Sequence, residues 1–203
     1  MGLADMTAVL KELRLRDGAT TRAKIESEAL RLFAQKGVEG TTIRDLAQAV
    51  GVADAALYRY FGSKEAIAAE LFQFHYGVLA ARVADIGARD LPFREAVRAL
   101  AHLFCGLFDD EPNTFAFILL NQHAHLRYVR EDANAVEEVR KIVRRAKERG
   151  EITARDPELA AAMALGVVLQ PAIFKLYGAL PGPLRDRADD LAQAAFSAAS
   201  ASM

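Results

Sequence analysis

The chain is poor in the features that most quickly betray an activity. Its 203 residues include a single cysteine and no tryptophan. Cys105, being alone, closes no internal disulfide, which excludes a disulfide-stapled fold and points to a reducing cytoplasm. No run of about 18 residues is free of charge, so neither a transmembrane helix nor a membrane partner is expected. The first ten residues carry an early acid, Asp5, and only a short apolar stretch, unlike a secretory leader. A Walker loop, a Gly-x-Ser-x-Gly elbow and a dinucleotide fingerprint are all missing, so the sequence points to no enzyme and no cofactor. An excess of one charge is missing too. Lys and Arg number 26 against 27 Asp and Glu, and residues 1–64 hold 10 basic against 8 acidic side chains. A nucleic-acid binder with this balance needs focused contacts, helped by dimerisation, in place of a broad basic surface.

What is present is helix. Hydrophobic residues make up 52% and charged residues 26%, enough apolar material for a sizeable core. Apolar positions recur with a period of 3.6 and alternating strands are lacking, so the class is all-α. Nine helices are expected, at about 21–36, 42–50, 54–60, 63–82, 93–108, 113–128, 133–149, 157–177 and 184–199. Gly37, Gly51 and Gly150 are placed as stops, and Gly87 to Pro92 as a break. Residues 1–19 read equally as an arm or a short helix. The division expected is 20–66 as a helix-turn-helix domain and 67–203 as a C-terminal helical domain.

Residues 41–64 carry the chemistry. Ile43, Leu46, Ala47 and Val50 form one apolar stripe, Gly51 makes a turn, and Leu57 anchors a short second helix. Thr42 and Asp45 have the spacing of a capping box. That geometry offers Thr42 and free first-turn amides to a phosphate. Arg44 has the forked guanidinium that pairs with guanine, and Ala53 and Ala55 are small enough for close backbone approach to DNA. Tyr58 and Tyr60 offer hydroxyls, and Lys64 a cation, to phosphate oxygens. An ordinary helical hairpin explains Phe61, but does not explain Thr42, Arg44, Tyr58, Tyr60 and Lys64 together.

Residues 21–65 resemble the DNA-binding domain of the TetR family of bacterial transcriptional regulators. The resemblance rests on Thr-Arg-x-x-Ile at 21–25, Leu-Phe-Ala-x-x-Gly at 32–37 and Thr-Thr-Ile-Arg-Asp-Leu-Ala at 41–47. Gly51-Val52 and Leu57-Tyr-Arg-Tyr-Phe-Gly-Ser-Lys-Glu65 complete it. It implies phosphate contacts at Thr42, Tyr58, Tyr60 and Lys64, and base contacts at Arg44, Ala53, Asp54 and Ala55. Ala53 departs from the family's usual hydroxyl residue, leaving Asp54 to take over the helix cap. The resemblance further implies a homodimer formed by the last two long helices, double-stranded palindromic DNA as partner, and repression relieved by a small ligand. The pocket residues expected are Phe104, Phe108, Phe115, His123, Tyr128, Met163, Gln170 and Phe174, which suit a mainly apolar molecule.

Other readings are weaker. His123 and His125 stand two apart, on opposite sides of a helix, and do not share a metal ion. The basic run 141–149 has i,i+4 acids at Glu137 and Glu148, the pattern of a solvated face. The main competitor is a helical small-molecule-binding protein without DNA activity.

Overall fold

Four of the helices described here start at a side-chain cap, and several stop at a left-handed glycine. The computed structural model describes residues 21–125, 129 and 134–201, with backbone alone for 123–125. Among these are nine α-helices and no strand. They are α1 (Thr21–Lys36), α2 (Ile43–Val50), α3 (Asp54–Tyr60), α4 (Lys64–Ala88) and α5 (Phe93–Asp110). There follow α6 (Pro112–His125), α7 (Ala135–Glu148), α8 (Pro157–Leu176) and α9 (Ala188–Ser200). The segment 1–19 lies outside the described residues.

Ser63 Oγ accepts from the Ala66 amide at 3.1 Å and opens α4. Asn134 and Asp156 cap α7 and α8 in the same way. Gly37, Gly51 and Gly150 adopt φ of 73°, 79° and 71°, the left-handed conformation that costs glycine least. Two expected boundaries differ. Gly87 does not break the chain but lies buried inside α4, where the Arg145 guanidinium donates to its carbonyl at 2.7 Å. A Cβ there would stand 3.4 Å from Ile142 Cγ1, so this glycine serves close packing. The last helix begins later than 184, after a 3₁₀ turn at Arg185–Arg187. Asp109 holds that turn by accepting from the Leu184 and Arg185 amides at 3.1 and 2.9 Å. Burial pushes the Asp109 carboxyl up, but these amides and the Arg185 guanidinium outweigh it and keep the group below the usual range.

Two compact units divide the chain, Met1–Tyr76 with Asn113–Val129 and Gly77–Pro112 with Arg130–Met203. This division by packing differs from the division by role at residue 66. In the first unit, α1 buries Ile25, Ala29, Leu32 and Phe33, the face its periodicity predicts. Phe33 stacks on Phe117 of α6 at 5.9 Å between centroids, and Phe72 of α4 meets Phe117 edge-on at 6.5 Å. Such pairs add about 0.5–1.5 kcal/mol each beyond area burial.

In the second unit, α8 packs along α9 and α7, and α9 packs on α5. Alanines at 160, 161, 164, 192, 195 and 199 are buried, which lets helix backbones approach closely. The ionic face of α7 is built differently from its spacing: Arg140 and Arg144 share Glu137 and Glu158, and Lys141 pairs with Glu138. Cys105 is buried, which pushes its thiol up to about 11 and leaves it a small apolar side chain.

By length and composition α8 is apolar enough to cross a membrane. Its side toward the unit is alanine-rich. Its opposite side exposes Leu159, Phe174 and Tyr177, the last two by 51% and 73%, with Ala162, Gly166 and Gln170 between them. Spacings of three and four place these residues on one stripe.

Candidate nucleic-acid interface

The sequence makes α2 rigid at its start. Thr42 Oγ1 accepts from the Asp45 amide at 3.1 Å, and Asp45 Oδ2 accepts from the Thr42 amide at 2.9 Å and its hydroxyl at 2.8 Å. The expected capping box is therefore present. The Thr42 amide, followed by its hydroxyl, holds the Asp45 carboxyl below the usual range. Thr41, one residue earlier, is the only buried polar side chain among the described residues, and its hydroxyl donates to the Gly37 carbonyl at 2.8 Å. Its methyl fills core while its oxygen ties the α1–α2 turn. Sequence reasoning missed this residue, although a threonine directly before a threonine cap is a signal for it.

Gly51 then turns the chain, its amide and that of Val52 both bonding to the Ala47 carbonyl. Leu57 is the one fully buried residue of α3, so a single side chain sets how this short helix is seated. Around it Ala53, Asp54, Ala55, Tyr58, Arg59 and Tyr60 are exposed, as are Thr42 and Arg44 on α2. Tyr58 and Tyr60 are 56% and 38% exposed, so their hydroxyls are not core groups. Asp54 does not take over the cap. Ala53 is the capping residue, with no side-chain bond, and Asp54 is the first helical residue. Its charge is still favourable there, since a carboxylate suits the positive end of a helix.

Lys64 is placed differently from expectation. Its ammonium donates to the Val38 carbonyl at 2.9 Å and lies 3.4 Å from that of Glu39. Glu39 and Glu65 carboxylates stand 3.8 Å away, and the side chain is only 19% exposed. This lysine ties the first turn of α4 to the α1–α2 turn, and its charge is compensated within the protein. Lys64→Met is therefore expected to lower unfolding free energy by about 1.5–3 kcal/mol, the range for hydrogen bonds to a charged group. The salt dependence of DNA binding should shift by clearly less than one unit of slope, because the ammonium is already compensated by these partners. Urea melts and a salt titration check both. Arg22 acts beside it: its guanidinium lies 4.5 Å over the Phe61 ring and pairs with Glu26 and Glu70.

The pocket candidates described within the second unit do not share one cleft. Phe104 lines an apolar cleft of about 410 Å³, open mouth included, among Val97, Leu100, Val143, Leu165 and Val168. Phe108 is buried on α5, and Phe115 is buried on α6 in the first unit. Met163 lines a smaller cleft beside Leu159 and Ala198. Gln170 and Phe174 are exposed on the outer stripe of α8. The side chain of His123, and Tyr128, lie outside the described residues. Helical spacing marks aromatic positions correctly as apolar, but spacing does not distinguish a cleft wall from solid core or from an outward face.

Comparison with known proteins agrees with this geometry. Residues 25–71 match the model for bacterial regulatory proteins of the tetR family. The HTH-type transcriptional repressor KstR2 of Rhodococcus jostii strain RHA1 is 34% identical over 79 residues, 39% of each chain. The chain thus spans well under half the length of this curated relative. The solved structure of the TetR family transcriptional regulator PfmR from Thermus thermophilus is 28% identical, with a TM-score of 0.70 over 84% of this chain and 96% of that one. The transcriptional regulator FadR from Bacillus subtilis, solved in complex with stearoyl-CoA, shares the fold, with 20% identity and a TM-score of 0.69 over 86% of this chain and 97% of that one. With the capped α2, the glycine turn and the seated α3, these matches identify residues 25–71 as a DNA-binding domain of the tetR family of bacterial regulatory proteins, on a chain whose fold is that of solved regulators of this family.

Proposed function

We propose that the protein is a DNA-binding transcriptional regulator, a homodimeric repressor that reads a palindromic operator and leaves it when a small, mainly apolar ligand binds. One observation carries the DNA reading: α2 and α3 are fixed from beneath by Leu46, Ala47 and Leu57, while Arg44, Tyr58 and Tyr60 stand exposed above them. A rigid helix pair with an outward fork of donors suits a major groove about 12 Å wide. Thr42, Tyr58 and Tyr60 contact phosphates in this reading. Arg44 reads a base, and Ala53, Asp54 and Ala55 border the groove. Lys64 supports the pair from behind.

The dimer reading is supported by the outer stripe of α8, too apolar to be left in water and centred on Ala162 and Gly166, where another helix approaches closely. The ligand reading is supported by the apolar cleft around Phe104. A ligand that releases DNA binds the non-DNA conformation more tightly. Helix α4 contributes residues to both compact units and is the continuous element through which such a difference passes.

The test is Arg44→Ala on DNA selected from the source genome. Affinity for the selected site should fall by about 1–3 kcal/mol, with relaxed preference at one base pair per half-site. Unchanged affinity and unchanged preference in a gel-shift series contradict the role given to Arg44, and failure of the native chain to select any DNA favours a helical ligand-binding protein without DNA activity.

A further inference from the structure

Two clefts in the second unit share part of their walls. Every side chain lining the cleft around Phe104 is Ala, Val, Leu, Ile or Phe, so nothing in it bonds a polar group. The neighbouring cleft, about 290 Å³ with its open mouth, lies where α4 ends, α5 begins and α7 ends, and it is polar. Phe93 and Ile142 line both. On α7, Ile142 and Arg145 are three residues apart and share a face, so the apolar wall passes directly into a guanidinium.

The charges in the polar cleft are unequally committed. Arg149 pairs with Asp90 and lies 4.0 Å from Glu151. Glu151 also accepts from the Phe93 amide. Arg145 donates to the Gly87 carbonyl and forms an ion pair with no carboxylate among the described residues; Asp90 feels its charge only at longer range, after that of Arg149. A guanidinium has five N–H donors in a planar fork, and a half-buried one without a contacting counter-charge favours a carboxylate or phosphate placed against it.

We propose that the ligand is an amphipath, a hydrocarbon chain with an anionic head, whose chain lies in the apolar cleft and whose head pairs with Arg145. This rests on the reading that an apolar ligand occupies that cleft, and adds the head, its charge and its partner. A purely apolar molecule leaves Arg145 unpaired, and a short anion leaves the apolar wall unfilled. A free long-chain carboxylate and a chain carried on a phosphate-bearing thioester share this chemistry.

The experiment is calorimetric titration of the full chain, without DNA, with dodecanoate, with its coenzyme A thioester and with dodecanol. At least one anionic ligand should bind about tenfold or more tightly than the neutral alcohol, a difference of about 1.4 kcal/mol. The tighter anion identifies the source of the head. Arg145→Met should abolish this preference while leaving dodecanol affinity unchanged, and Arg145→Lys should restore part of it. Thermal melts verify that each variant folds. Equal binding of alcohol and anions, or a preference that survives Arg145→Met, overturns the head site and leaves the apolar-ligand reading standing. Absence of binding by all three overturns both.

Discussion

Phe174→Glu should turn the protein from dimer to monomer and weaken operator binding by about 10²–10⁴-fold. The magnitude follows from linkage: two readers on one two-fold axis bind the second half-site at high effective concentration, and separated readers lose that advantage without losing a DNA contact. Phe174 suits the test because half of it is already exposed in the single chain, so a charge there leaves the packing of the second unit intact. In a dimer the same charge would be buried against apolar neighbours without a counter-ion, which costs several kcal/mol per copy. Sedimentation and circular dichroism separate the cases. A variant that remains dimeric with unchanged operator affinity places the interface elsewhere. A variant that unfolds shows instead that the outer stripe of α8 is needed within the chain.

The second large effect is expected from Leu57→Ala. Leu57 is 1% exposed and is the sole buried anchor of a seven-residue helix. A helix that short is not stable by propensity and holds its place only through packing. Truncation should cost about 2–5 kcal/mol, transfer and cavity terms together, and the loss should fall on α3. DNA binding should therefore fail at temperatures where the far-ultraviolet signal is nearly native. Val50→Ala, at a half-buried position on α2, should cost less and retain binding. Equal loss of binding in both variants would show that general destabilisation, not the seating of α3, sets affinity.

The sequence is most informative where local rules decide. Helix class, the capping box at Thr42 and the glycine stops at 37, 51 and 150 depend on neighbours within a turn or two. The buried face of α1 follows from period alone. Legibility fails where distant segments meet. The spacing around Lys64 announces a cation at a helix start, but its carbonyl partners lie 25 and 26 residues earlier. Gly87 looks like a break until Arg145 and Ile142 arrive against it. Asp54 looks like the cap of α3, yet the backbone leaves the helical region at Ala53 instead, at φ −74° and ψ 148°. The pocket residues are the least legible, because one aromatic periodicity is shared by Phe104 in a cleft wall, Phe108 in core and Phe174 on an outer face.

Whether paired α2–α3 readers grip a two-fold operator is tested most directly by hydroxyl-radical footprinting of the full chain on a genomic fragment that it selects. Two protected half-sites related by a dyad are expected, with centres about 34–36 Å apart, one turn of DNA, or a multiple of it. Protection of a single asymmetric half-site by the native protein, or no protection at any concentration that gives a gel shift, contradicts that grip.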